Sequence, residues 1–328
     1  MNEGADLARS LGPMLREQCE GHLGELEWFR TAWGRSGAAT AKADWTLPDG
    51  RAVPAILKLP VKPVEYRWTR DMGTADLRRW DEAATHPTPR VLACGTQIGP
   101  YDLAWIVVER FEQNPLSTDL SEQSLTDLVL AVAAFQQAAE SHGTPKGPLL
   151  DLPFSEQLEK GRELVRDRLI PIEEPQRWNE ALKKGSKCLP RALAIWNTRP
   201  VNAWCHGDVH PGNAMRREQV ARSESPGQCV LIDLGLVHAG HWAEDALYLE
   251  RQFWGHADRM GKLRPVSVLA RARREAGLDN GPDYAEIANA RRLLSALCVP
   301  ALFVTEGSNQ AYVEHALGTL ERLAKSFS

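Results

Sequence analysis

The sequence predicts an α+β fold with an antiparallel sheet in its N-terminal third and helices in most of the remainder. Short apolar runs separated by turn signals continue as far as residue 111, which is the pattern of consecutive strands. From residue 114 onward, apolar residues recur at helical spacing. The helices are interrupted at residues 201–235. This stretch predicts a strand followed by a loop that carries acids, histidines and an amide side chain. These observations predict two lobes, residues 1–111 and residues 112–328.

The composition limits the class of protein. With 328 residues, the chain can bury one large core or two smaller ones. Its 39 basic and 43 acidic residues give a formal net charge of −4, which argues against a nucleic-acid partner, since that would call for a basic face. The six cysteines are widely spaced, and no stretch approaches the roughly 18 apolar residues of a membrane span. We therefore expect a cytoplasmic protein without a membrane partner.

The N-terminal elements begin with a short helical pattern in residues 1–24. Three apolar runs follow and predict an antiparallel meander. The clearest turn signal between them is Pro48-Asp49-Gly50, because these residue types favour tight turns. The strands are predicted at residues 26–33, 40–47 and 52–59.

A glycine-bearing turn, Gly34-Arg35-Ser36-Gly37, follows the first strand. Glycine lets backbone N–H groups approach an anion closely, so the turn could bind phosphate. An ordinary hairpin turn explains the same residues equally well. Both interpretations stay open.

Lys58 lies near the end of an apolar strand, where its amine needs an anionic partner or a route to solvent. Glu65 and Glu82 are the candidate partners that follow it. We prefer Glu65, because Glu82 lies close to the next strand and would occupy a helix C-terminus, where a negative charge is unfavourable. A surface position stays open for both acids.

The remaining elements follow in order. A strand at residues 104–108 runs into Glu109-Arg110-Phe111, where the chain should pass from the first lobe to the second. Ser124-x-x-Asp127 matches a capping box at the start of a helix. The other predicted elements are a strand at residues 90–94 and helical segments at 155–169, 176–197, 242–253, 285–297 and from Ser308 onward.

An acid, an amide and a second acid are arranged as phosphoryl transfer to a hydroxyl requires. Asp208 lies on a loop after an apolar strand, Asn213 follows five residues later, and Asp233 ends the next apolar run. In this chemistry one carboxylate receives the hydroxyl proton, while the amide and the other carboxylate hold Mg²⁺ on the phosphates. Two protein ligands suffice, because Mg²⁺ usually keeps several waters.

Two motifs resemble those of the aminoglycoside phosphotransferase and choline kinase family. They are His206-Gly-Asp208-x-His210-x-x-Asn213 and Ile232-Asp233-x-Gly235. The resemblance implies a two-lobed protein-kinase-like fold, with an antiparallel-sheet N-lobe and a mainly helical C-lobe. It also implies that ATP, with Mg²⁺, phosphorylates a hydroxyl of a small molecule, such as an amino sugar, an amino alcohol or a related metabolite or antibiotic. The chain departs from the family in a longer connector, residues 216–228, which leaves both motifs intact.

The same resemblance implies roles for individual residues. Asp208 would be the catalytic base, and Asn213 and Asp233 would be the metal ligands. Lys58 would hold the ATP phosphates and pair with Glu65.

Further residues are implied around ATP and the catalytic loop. Backbone groups of Glu109 and Phe111 would meet adenine, and the turn formed by Gly34, Arg35, Ser36 and Gly37 would lie over the phosphates. Asp245 occupies the place of an acid that braces the loop, although a solvated helix start explains it equally well. The residues that would support the loop are His206, His210 and Asp245.

Three other functions fit the sequence less well. His206, Asp208 and His210, with His238 and His241 downstream, could bind zinc in a hydrolase, but this leaves the amide and the lysine unexplained. A protein kinase is disfavoured, because a helical run begins soon after the second motif, where such enzymes have a long activation segment. A catalytically silent nucleotide-binding protein is disfavoured, because no motif position is missing.

The acceptor is not identified by the sequence. A polycationic aminoglycoside calls for an acidic pocket. The region expected to bind the acceptor, residues 241–328, contains eleven acidic and eleven basic residues and therefore shows no acidic bias.

Overall fold

The computed structural model describes residues 3–30, 38–82, 86–147, 152–217 and 228–327. Along the first half of the chain the elements are α1 (Glu3–Gln18), β1 (Glu27–Arg30), β2 (Ala39–Thr46), β3 (Ala52–Leu59), α2 (Pro63–Gly73), β4 (Val91–Gly95), β5 (Trp105–Glu109), α3 (Glu122–Ala139), α4 (Phe154–Arg166) and α5 (Pro175–Asn197). Along the second half they are β6 (Ala203–Cys205), β7 (Ala214–Arg217), β8 (Gln228–Leu231), β9 (His238–Gly240), α6 (Glu244–Gln252), α7 (Ala257–Met260), α8 (Pro265–Glu275), α9 (Tyr284–Leu297), α10 (Val299–Leu302) and α11 (Gln310–Ser326).

The N-terminal strands form an antiparallel sheet with the order β1-β2-β3-β5-β4. β2 and β3 pair over their whole length, with Ala41 opposite Leu57. Alternation along β3 buries Ala55 and Leu57 on one face of the sheet. Leu11 and Leu15 of α1 belong to the same buried cluster, so α1 covers this face. The predicted antiparallel sheet of the N-terminal region is confirmed.

The opposite face of the sheet carries Lys58. Its neighbours Leu57 and Leu59 point into the buried cluster, so the lysine side chain points the other way. α2 contacts β4 and β5, and it buries Trp68 and Met72. The lysine and α2 therefore occupy the same face.

The chain divides into two compact units. They are Met1–Asp119 with Pro211–Val237, and Leu120–His210 with His238–Ser328. The two lobes predicted at residues 1–111 and 112–328 stay a prediction. The first unit differs from the first predicted lobe by including residues 112–119 and 211–237. The second of these segments is held there by backbone bonds, such as the Leu231 N–H to the Pro87 carbonyl at 2.8 Å.

The predicted long connector falls between β7 and β8, which pair in an antiparallel hairpin. Ala214 lies opposite Leu231, and Arg217 lies opposite Gln228. The two ends of the connector are therefore strands, whereas residues 218–227 lie outside the described residues.

Helices make up most of the second unit. α4, α5, α9 and α11 share a buried apolar cluster that includes Trp178, Trp196 and Leu293. The mainly helical C-terminal region is thus confirmed. Among the described helices, none combines the length and the apolar character needed to cross a membrane.

The start of α3 corrects one detail of the sequence analysis. The capping box is formed by Ser121 and Ser124, and not by Ser124 and Asp127. Ser121 has extended backbone angles and its Oγ accepts the Ser124 N–H at 3.1 Å, while the Ser124 hydroxyl accepts the Ser121 N–H at 2.8 Å. The helix therefore begins earlier than predicted.

Candidate active site

The loop that carries Asp208 begins where β6 ends. β6 pairs with β9, which fixes the direction in which the chain leaves Cys205. Gly207 then adopts a φ of 85°, a left-handed conformation that favours glycine. The Asp208 side chain is 26% exposed, so the loop presents a carboxylate to solvent.

Asp245, in the first turn of α6, holds this loop by its backbone. Its Oδ2 accepts the His206 N–H and its Oδ1 accepts the Gly207 N–H, each at 2.9 Å. The residue is 1% exposed, so it does not form a solvated helix start. Burial raises the pKa of Asp245, although His206 and the two N–H bonds oppose the shift.

Two further residues of α6 contact the loop and were missed by the sequence analysis. The Tyr248 hydroxyl donates to Asp208 Oδ1 at 2.8 Å. The Gln252 amide donates to the Val209 carbonyl at 3.2 Å. Tyr248 and Gln252 lie three and seven residues after Asp245, so all three share one face of the helix. Once Asp245 is placed on the loop, this spacing is the signal that could have found them.

The two histidines of the first motif differ in environment. His206 is fully buried, packs edge-on against Phe135 and accepts the Asp208 N–H on Nδ1 at 3.3 Å. The hydrogen bond to Asp208 orders the loop, and the His206 ring packs in the buried interior. His210 is 33% exposed, and its Nε2 lies 3.7 Å from Asp208 Oδ2.

The zinc alternative finds no support in the geometry. Among residues 3–30, 38–82, 86–147, 152–217 and 228–327, no group of three or more His, Cys, Asp or Glu side chains is arranged to hold a metal ion. His241 is buried, and burial lowers its pKa to about 4.

Lys58 forms an ion pair with Glu65 and lies 3.5 Å from Asp233 Oδ1. Glu65 is 7% exposed. Burial raises the pKa of Glu65, and the lysine charge opposes that shift. Glu82 instead pairs with Arg79 on the surface. The structure thus brings Lys58 together with the glutamate preferred in the sequence analysis.

Asn213 and Asp233 lie at adjoining ends of the β7–β8 hairpin. Asn213 directly precedes β7, and its carbonyl accepts the Ile232 N–H at 2.9 Å. Asp233 has a φ of 64°, which aspartate tolerates better than most residues. Their carboxamide and carboxylate supply the hard oxygen donors that Mg²⁺ prefers, so the pair could hold this ion.

Glu109, at the end of β5, is 5% exposed and lies between two arginines. Its carboxylate accepts from the Arg90 N–H at 2.9 Å and from Arg217 Nε at 3.1 Å. Because the Glu109 N–H is donated to the Arg90 carbonyl, an adenine contact at this residue would use its carbonyl oxygen. The Phe111 ring centroid lies 5.8 Å from the Arg217 guanidinium carbon.

The turn of Gly34, Arg35, Ser36 and Gly37 lies outside the described residues. Its place over the phosphates stays a prediction. The adenine contacts of Glu109 and Phe111 also stay predictions.

The sequence matches one known protein family. A sequence model described as the phosphotransferase enzyme family matches residues 45–288, most of the chain. No curated protein is significantly similar to the chain in sequence.

Solved structures are similar over nearly the whole chain. An aminoglycoside phosphotransferase from Alicyclobacillus acidocaldarius has a TM-score of 0.53 and 17% identity, over 93% of this chain and 92% of that chain. An aminoglycoside phosphotransferase from Streptomyces rimosus has a TM-score of 0.41 and 20% identity, over 89% and 98%. The first similarity confirms the fold class predicted from the sequence.

Proposed function

The chain belongs to the phosphotransferase enzyme family, and from this premise we propose that it transfers the γ-phosphoryl group of ATP to a hydroxyl of a small molecule. The observation that carries the proposal is the position of Lys58, which pairs with Glu65 and lies 3.5 Å from Asp233. A lysine held by a glutamate beside a metal-binding aspartate is the arrangement that kinases use at the ATP phosphates.

The residues of the first unit would bind and orient the nucleotide. Lys58 contacts the phosphates, and Glu65 keeps its amine in place. Asn213 and Asp233 are the proposed ligands of Mg²⁺. When bound, Mg²⁺ neutralises charge on the phosphate oxygens.

Asp208 is the proposed catalytic base. The acceptor oxygen forms a bond to the γ-phosphorus, the bond to the ADP oxygen breaks, and the hydroxyl proton passes to the Asp208 carboxylate. The loop that holds this carboxylate is anchored by the buried Asp245, which favours a fixed geometry. Positioning of this kind supplies much of the catalysis in phosphoryl transfer.

The proposed acceptors are amino sugars, amino alcohols and related hydroxyl compounds. Similar solved structures include aminoglycoside phosphotransferases, but at 17% identity this likeness supports the fold alone. The balanced charge of residues 241–328 does not favour a polycation over a neutral compound. The acceptor is therefore proposed at the level of this chemical class.

ATP consumption measured across amino sugars, amino alcohols, sugars and nucleosides tests the proposal. We expect turnover with at least one class, and its loss when a chelator removes Mg²⁺. Asp208→Asn should lower kcat by a factor of about 10² to 10⁴, the usual contribution of a general base, and leave ATP affinity nearly unchanged. Asp258→Asn, at an exposed acid of the same unit, is the matched control.

Two results would contradict the proposal. Residual activity within tenfold of the native enzyme would remove Asp208 from the role of base. Stoichiometric zinc in the purified protein, with a hydrolytic activity that a chelator abolishes without ATP, would instead favour the hydrolase.

A further inference from the structure

One face of α6 holds four consecutive residues of the catalytic loop. Asp245 accepts the N–H groups of the first two, residues 206 and 207. Tyr248 bonds the side chain of Asp208, and Gln252 bonds the carbonyl of Val209. Because residues three and seven positions apart share a helix face, a single rigid element sets the path of the whole loop. Tyr248 is the member of this set that contacts the acid itself.

The Tyr248 hydroxyl is well suited to stay a donor. Burial and then the neighbouring Asp208 raise the pKa of Tyr248 to about 12. The phenol therefore keeps its proton throughout the pH range in which enzymes are assayed. A hydroxyl that keeps its proton can hold one oxygen of the Asp208 carboxylate through a donated hydrogen bond.

We propose that Tyr248 is a positioning residue that fixes the rotation of the Asp208 carboxylate. This inference rests on the proposed function. With Oδ1 engaged by Tyr248, the hydroxyl proton of the acceptor passes to Oδ2, the oxygen 3.7 Å from His210 Nε2. Tyr248 neither gains nor loses a proton in the step.

Other ionisable groups surround the pair within the second unit. Arg251 of α6 lies with its guanidinium carbon 5.5 Å from the Tyr248 ring centroid. A variant that tests the tyrosine must leave these groups in place. They are His206 and His210 on the loop and Asp245 and Arg251 on α6.

Tyr248→Phe is the test, because it removes one hydroxyl and keeps the ring. We expect kcat to fall about tenfold, as suits the loss of a hydrogen bond to a charged group, while the KM for ATP stays within about twofold. A fall in kcat with little change in KM would show that the reaction step, and not ATP binding, depends on the Tyr248 hydroxyl.

Tyr312→Phe is the matched control. Tyr312 is also partly buried in the second unit, and burial raises its pKa. Its hydroxyl makes no hydrogen bond within the residues that the structure describes. This variant should keep the native kcat.

A double-mutant cycle of thermal stability gives a readout that needs no acceptor. Tyr248→Phe should lower Tm in the native background and change it little in an Asp208→Ala background, because the bond acts between these two side chains and alanine leaves no acceptor.

Basal ATP hydrolysis can replace acceptor turnover in the kinetic comparison. Additive effects on Tm, or a kcat of Tyr248→Phe equal to that of Tyr312→Phe, would overturn the inference. If Asp208→Asn itself kept its turnover, the proposed function would fail first, and the two failures are thus distinguishable.

Discussion

The Glu65 carboxylate is buried and forms an ion pair with Lys58. It is 7% exposed, and burial raises its pKa, whereas the Lys58 charge opposes that shift. A buried carboxylate without a partner is unfavourable, so the ion pair with Lys58 stabilises Glu65 in this position. In the proposed function, Glu65 in turn holds the lysine toward the phosphates.

Glu65→Ala should weaken ATP use, measured as kcat/KM, by roughly ten- to a hundredfold. The unpaired amine would lose positioning equivalent to about 1–3 kcal/mol, and each 1.4 kcal/mol is about a factor of ten. Glu82→Ala is the control, since this exposed acid pairs with Arg79 on the surface. A larger loss for Glu82→Ala than for Glu65→Ala would contradict the assignment.

Some contacts of the candidate site could be predicted at the residue scale and others could not. Lys58 and Asp208 were found because a charged side chain directly beside an apolar run needs an explanation. Tyr248 and Gln252 were missed, because a tyrosine or a glutamine on a helix is compatible with many environments. Their contacts with the loop depend on how α6 packs, and sequence spacing alone does not show it.

The β7–β8 hairpin is tied to the end of β5 by side chains. Arg217, the last described residue of β7, donates to Glu109 of β5 and to the carbonyls of His86 and Thr88. Arg90 binds the same glutamate from the other side. Glu109 and Arg217 are both buried, so this group of charges links β5 with the hairpin that carries the proposed metal ligands.

Arg217→Met should lower the apparent free energy of unfolding by about 3 kcal/mol, because a buried carboxylate loses one of its two cations. Arg51→Met is the control. Arg51 also pairs with two acids, but its side chain is 50% exposed, and exposed ion pairs contribute little to stability. Equal destabilisation by the two variants in denaturant or thermal unfolding would show that burial does not strengthen the Arg217 contacts.

At the scale of elements, prediction succeeded where one periodicity dominated. β2 and β3 alternate between buried and exposed positions, and both lie within a residue of the predicted bounds. α8 was not predicted. Its buried positions include Arg273, which donates to Gln136 and Asn280 instead of packing as an apolar residue. An arginine at the end of the apolar face formed by Val266, Leu269 and Ala270 shortens the stripe that a sequence pattern can reveal.

For the molecule as a whole, the pH dependence of stability follows from buried ionisable groups. His238, Arg199 and backbone bonds outweigh burial and lower the pKa of Glu244 to about 2. Stability from Glu244 is present above its ordinary pKa of 4.5 and is lost as the pH falls toward 2. Glu65 and Asp245 have raised pKa values, so they act in the opposite direction and favour the folded state as the pH falls. The net curve mixes these effects, and a single group has to be isolated by substitution.

His241 is the group that should dominate the loss of stability between pH 6.5 and 4. It is buried, and burial lowers its pKa from 6.5 to about 4, so over this interval the unfolded chain binds a proton that the folded chain does not. The native protein should therefore lose up to about 3 kcal/mol of stability from this residue as the pH falls, since each pKa unit corresponds to about 1.36 kcal/mol.

His241→Asn removes the titrating ring and keeps an acceptor for the Ala243 N–H, which His241 Nδ1 accepts at 3.3 Å. Unfolding free energies at pH 7 and pH 4.5 should differ less in this variant than in the native protein, whereas His256→Asn, at an exposed histidine, should keep the native difference. If His241→Asn had the same pH dependence as the native protein, the buried imidazole would not be the group that senses acid.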